Sequence, residues 1–121
     1  MTRMRDIRRV AGEIGRRFQP ERVVLFGSYA CGKATPDSDV DLLVIMPHEG
    51  KPWEKSVQIR LEVRPPFPAD ILVRSPEKVR ERLEMGDDFV REVVQTGIVL
   101  YDADNSCVDS ESGSGLLDRG T

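Results

Sequence analysis

The chain has no apolar run near the ~20 residues that a membrane-spanning helix requires. Its first ten residues, MTRMRDIRRV, are charged and contain no apolar core of a secretion signal, so export is not expected. Cysteine is scarce. Cys31 and Cys107 lie far apart and fit no metal-ligand spacing, so a reducing cytoplasm is the expected location. Excess positive charge is missing too. The net charge is −3, but residues 102–121 hold five acids and one base, which leaves the first 101 residues at +1. A nearly neutral body argues against broad nucleic-acid binding, which needs a basic face.

What is present is an ordinary soluble composition, 39% hydrophobic and 32% charged over 121 residues. That is one domain with a single core. Residues 2–18 carry Met4, Ile7, Val10, Ala11, Ile14 and Phe18 at helical steps. Arginines fill much of the other face, which reads as solvated, and Arg16 and Arg17 suit the negative end of the helix dipole. Pro20 ends the helix. Arg22 to Phe26 reads as a short buried strand, and Ser28 to Cys31 as a helical turn closed by Gly32. Pro36, Asp37 and Ser38 mark a loop. Val40 to Met46 is a second strand, buried on both faces beyond Asp41.

Residues 53–64 carry two periodicities. Trp53, Val57 and Leu61 fit a helix, whereas Val57, Ile59, Leu61 and Val63 alternate as in a strand. Pro52 at the start and the many helix formers favour helix. The block RPPFP, residues 64–68, ends it. Ala69 to Arg74 is a third strand. Ser75-Pro76 opens a helix with Val79 and Leu83 inward, and Gly86 stops it. Asp87 or Asp88 caps another, with Phe89, Val90, Val93 and Val94 inward, stopped by Gly97. Ile98 to Tyr101 is the last strand. From Asp102 onward Ser, Gly and Asp dominate, so a domain over 1–101 followed by a disordered acidic tail over 102–121 is expected. Such a tail also suits an interaction segment.

The chemistry concentrates in LFGSYACGKATPDSDVDLLVI, residues 25–45. A Gly27-Ser28 turn with free amides suits phosphate. Asp39 and Asp41 share one face of a strand, with alpha carbons ~6.5 Å apart, so both carboxylates reach one divalent cation or bridge two. Asp70 has the same placement on the third strand. If the two strands are neighbours, it completes a three-carboxylate cluster that holds a proton unless a cation is present. Each piece alone also reads as turn or cap chemistry. The combination points to a metal–nucleotide site.

In this order and spacing the pieces resemble the nucleotidyltransferase superfamily of DNA polymerase beta. The likeness is strongest to its minimal branch, which often acts as the antitoxin of a HEPN-domain toxin. Gly27, Ser28, Asp39, Asp41 and Asp70 match that pattern, and the likeness covers most of residues 1–101. The resemblance implies an α/β fold of the polymerase-beta type, a small mixed sheet with helices packed on it. It implies triphosphate held at Gly27 and Ser28 and two Mg²⁺ on Asp39, Asp41 and Asp70. It further implies transfer of a nucleotide, AMP from ATP, to a hydroxyl of a partner, a HEPN-domain protein. One position departs: the family's Arg before the second glycine is Cys31 here. Lys33, two residues on, is its partial substitute, and Cys31 is expected to be a small packed residue. Two alternatives stand beside this reading. One is a non-catalytic module that neutralises its partner by contact. The other is an enzyme that nucleotidylates a small molecule such as an aminoglycoside.

Overall fold

The computed structural model describes residues 2–103. In chain order the elements are α1 (Met4–Phe18), β1 (Arg22–Phe26), α2 (Ser28–Cys31), β2 (Val40–Ile45), α3 (Pro52–Val63), β3 (Ala69–Arg74), α4 (Pro76–Glu84), α5 (Asp88–Thr96) and β4 (Ile98–Asp102). The strands form one mixed sheet in the order β3-β2-β1-β4. β1 is antiparallel to both β2 and β4, while β2 and β3 run parallel. The parallel pair needs a crossover, and α3 supplies it.

Local chemistry sets the element ends. α1 stops where Gln19 turns left-handed, its amide donating to the Gly15 carbonyl, just ahead of Pro20. The Ser75 hydroxyl accepts from the Lys78 amide at 3.1 Å and Pro76 follows it. Asp87 accepts from the Val90 amide at 3.1 Å. The ambiguous segment is helical. The Glu54 carboxylate accepts from the Lys51 amide at 3.0 Å at its start, with Pro52 between them. β4 extends one residue beyond the expected boundary, to Asp102. The expected disorder falls largely on residues 104–121, outside the described residues.

Strand alternation splits the core in two. One face carries Val23, Leu25, Val40, Leu42, Val44, Ile71, Val73 and Leu100, packed under α1 and α3. Gly15 lets α1 lie flat against β4, since a β-carbon there would run into the Tyr101 ring. The opposite face carries Val24, Leu43 and Ile45, packed against Val93 of α5, with Leu72 and Val79 at the edge.

Three expectations about inward side chains do not hold. Val94 is 55% exposed, Phe89 43% and Leu83 38%. The helical spacing of α4 and α5 is real, but the two helices are short and cover only part of a sheet face, so the flanks of their apolar stripes stay in solvent. Trp53 and Leu61, which share the helical spacing of α3, are likewise 64% and 65% exposed; Ile59 and Val63 make its buried edge.

Candidate active site

β2 and β3 are neighbours, and the register puts Asp41 directly beside Asp70. Parallel partners lie ~4.8 Å apart and point the same way. Asp41 alternates with Val40 and Leu42, and Asp70 with Ala69 and Ile71, all on the α1–α3 side. Both carboxylates therefore stand on the α4–α5 face, at the end of the sheet where β2 and β3 begin. Across the antiparallel pair, Phe26 is opposite Asp41, and its ring meets the edge of Phe89 at 5.4 Å. These two rings form an apolar wall beside the acids.

The turn after β1 faces the same place. Gly27 has φ 76° and ψ −152°, a region that only glycine enters without strain. A β-carbon at Gly27 would also collide with Oδ2 of Asp41, so the glycine serves both the turn and the close approach of the carboxylate. The Gly27 carbonyl accepts from the amides of Ala30 and Cys31. The amides of Ser28 and Tyr29 lie ahead of that turn, where a first helical turn leaves its donors unsatisfied. Ser28 is half-buried at the first position of α2. Lys33 is exposed, and its amide donates to the Ser28 carbonyl at 2.9 Å.

Electrostatics tie the acids together. The Asp41 carboxyl sits above the ordinary carboxylate range because burial disfavours its charge and because Asp70 and Asp39 add like charge. Asp39 and Asp70 are exposed. Among the described residues no three acidic, imidazole or thiol side chains have drawn into a finished coordination set. The donor chemistry nonetheless fits a hard divalent cation: carboxylate oxygens on adjacent strands, two of them solvent-facing, with a mutual repulsion that a cation would relieve.

One expectation in this region fails. Cys31 is exposed, its thiol 3.7 Å from the Ser28 carbonyl. It ends a helix of a single turn at the rim of the sheet, where no neighbouring layer covers it. Reading the sequence for carboxylates also passed over Phe26 and Phe89 as the wall of the site. The signal for Phe26 was its position at the strand end immediately before Gly27.

A mixed sheet whose strand-borne carboxylates face a glycine–serine turn marks the α/β class of nucleotidyl-transfer domains. The chain belongs to the nucleotidyltransferase domain family, whose profile matches residues 7–100. It is 35% identical over 78 residues to a Methanocaldococcus jannaschii protein named "Putative protein adenylyltransferase MJ0141", covering 64% of this chain and 76% of that one. Its fold is similar to a solved structure from Sulfolobus solfataricus described as a "putative nucleotidyltransferase", with TM-score 0.61 and 18% identity over 84% of this chain and 82% of the other. Among the described residues no helix is long and apolar enough to cross a membrane.

Proposed function

We propose that this nucleotidyltransferase moves AMP from ATP to a hydroxyl of another polypeptide. The observation that carries the reading is the register of Asp41 with Asp70, held against Gly27 at the head of the Ser28 turn. The name of the archaeal relative supports a protein acceptor. So does the openness of the site: Asp39 and Asp70 are exposed, and a surface from another chain would supply the missing wall.

In this reading the Ser28 hydroxyl and the first-turn amides of α2 hold the triphosphate, with Lys33 near its outer phosphates. Asp39, Asp41 and Asp70 would hold Mg²⁺, which supplies charge neutralisation for the attacking and leaving oxygens when bound. Asp70, on the outer strand, orients the acceptor hydroxyl and takes its proton. The hydroxyl oxygen bonds to the alpha phosphorus, the bond to the bridging oxygen of the beta phosphate breaks, and pyrophosphate leaves. Phe26 and Phe89 exclude water from one side, which strengthens the electrostatics of the site. The partner we assign is a HEPN-domain protein, on the sequence resemblance alone.

Intact-mass spectrometry tests the reading. A HEPN-domain protein from the same genome is incubated with this chain, ATP and Mg²⁺, beside the Asp39→Asn, Asp41→Asn double variant. The expected result is one or more adenylyl increments with the wild type. The double variant should fall by about a thousandfold or more, as expected when charge stabilisation of a transition state is lost. A stable complex that gains no mass with any nucleotide would overturn the catalytic reading and favour neutralisation by contact.

A further inference from the structure

We propose that the hollow between α4, the start of α5 and strands β2 and β3 docks an acidic segment of the acceptor polypeptide. The proposal rests on the protein-acceptor reading and names the class of acceptor. The hollow has a volume of about 210 Å³, with Leu43 and Phe89 in its apolar lining and Arg74, Lys78 and Arg82 as its cations. Asp87 is the acid that lines it, so its lining carries a net positive charge.

The cations are available. Arg74 is half-buried, and its Nη1 donates to the Val73 carbonyl at 2.7 Å. Among the described residues it has no carboxylate partner. Its fork is thus held in place with donors left for a carboxylate, the geometry that guanidinium recognises best. Lys78 meets Glu81 at 3.3 Å and Arg82 meets Asp87 at 3.7 Å. Both are half-exposed surface pairs of the kind that contributes little and exchanges readily.

Position connects the hollow to the chemistry. Leu43 lies two residues beyond Asp41 on the same face, and Phe89 edges Phe26, the strand partner of Asp41. Arg74 lies four residues beyond Asp70 on β3, or ~13 Å along the strand. An acceptor that brings a hydroxyl to Asp70 meets three carboxylates there, so an acid next to that hydroxyl is repelled. About four extended residues away, the same acid meets three cations. The surface therefore selects a hydroxyl residue with Asp or Glu roughly four positions distant.

The test uses fluorescein-labelled glutamate–tyrosine and lysine–tyrosine copolymers, with anisotropy at low salt for binding and radiolabelled ATP for transfer. Wild type should bind the glutamate copolymer through the hollow, whereas binding of the lysine copolymer, drawn to the carboxylates, should not be weakened by charge reversal there. The Arg74→Glu, Lys78→Glu variant should bind the glutamate copolymer at least about tenfold more weakly, the scale of a charge reversal at a complementary surface. Its circular dichroism should be unchanged. Arg82→Glu, at an exposed position, should give a smaller loss in the same direction and serves if the double variant does not fold. Unchanged binding of the glutamate copolymer by the charge-reversed variants would overturn the proposal. So would an oligothymidylate of equal length that binds as tightly as the glutamate copolymer. Binding lost on reversal, with no label transferred to wild-type-bound copolymer, would uphold the docking site and count against the transferase reading. Asp39→Asn, Asp41→Asn should keep the binding and lose the label.

Discussion

The sheet has one sealed face and one open face. Among the described residues, sixteen buried residues of α1, α3 and the sheet beneath them form a continuous apolar core. Under α4 and α5, the corresponding cluster has four, with an apolar cavity of about 150 Å³ beside it and Val94 and Val99 in solvent at its margin. Both faces belong to the same strands, so the alternation of side chains decides which residues serve which purpose. On β2, Val40, Leu42 and Val44 hold the fold together, while Asp41 stands between them on the other side. Burial on the sealed face offsets what the open face costs: three like charges, a glycine-only turn and incomplete apolar cover. Among the described residues no charged or polar residue is buried, so charge lies on the open face of the sheet and on the outer surfaces of the helices.

Substitutions at four positions test this contrast. The largest effect is expected from Leu42→Ala, at a side chain with no exposure, with a loss of ~3–5 kcal/mol. Leu43→Ala, its neighbour on the open face and also buried, adjoins space that is already empty. It should cost nearer ~2 kcal/mol, because there are fewer packed neighbours to lose. Urea denaturation of the pair checks this, and equal losses would mean that the faces do not differ in packing.

Gly27→Ala should cost ~1–3 kcal/mol, since its backbone conformation is strained for any residue with a β-carbon. The same β-carbon pushes Asp41 aside. The added signature is that Gly27→Ala together with Asp41→Ala should be less damaging than the sum of the two single changes. Additive losses in a double-mutant cycle would show that the glycine and the carboxylate are not in contact.

The smallest effect has the opposite sign. Asp41 holds its proton more tightly in the folded chain than in an unfolded one. Between its ordinary value of 3.8 and its raised value, the folded state binds more protons, so its contribution to stability falls as pH rises through that window. At neutral pH the charged carboxylate is a penalty. Asp41→Asn should therefore stabilise the metal-free protein slightly at pH 7. It should also flatten that part of the pH profile. Thermal melts from pH 3 to 8 in chelator measure both, and a destabilised Asn variant would overturn the electrostatic account.

Much of this was legible without coordinates. Gly27, Gly32 and Gly97 mark element ends, and Ser75-Pro76 and Asp87 cap helices, because turn and cap stereochemistry acts within four residues. Asp41 stands on the opposite side of β2 from Val40 and Leu42 because the strand period is two; Asp39 lies just ahead of the strand. Val94 and Cys31 are exposed against expectation for a common reason. An apolar or small residue at the right spacing reports a preference for cover, not whether a neighbouring layer reaches it. Lys78 and Arg82 share one face of α4 and Arg74 ends β3, yet nothing local relates the three cations to Asp70.

The order of elements, the glycine–serine turn and the place of Asp41 near the start of β2 are set by contacts between residues close along the chain. That β3 runs parallel beside β2 and brings Asp70 level with Asp41 follows from long-range packing. Packing also leaves α4 and α5 covering the open face only in part, with Asp39 and Asp70 exposed and a cationic hollow nearby. These outcomes depend on strand pairing and layer packing between segments some thirty residues apart, where loop closure and burial set the arrangement and local propensity carries no information.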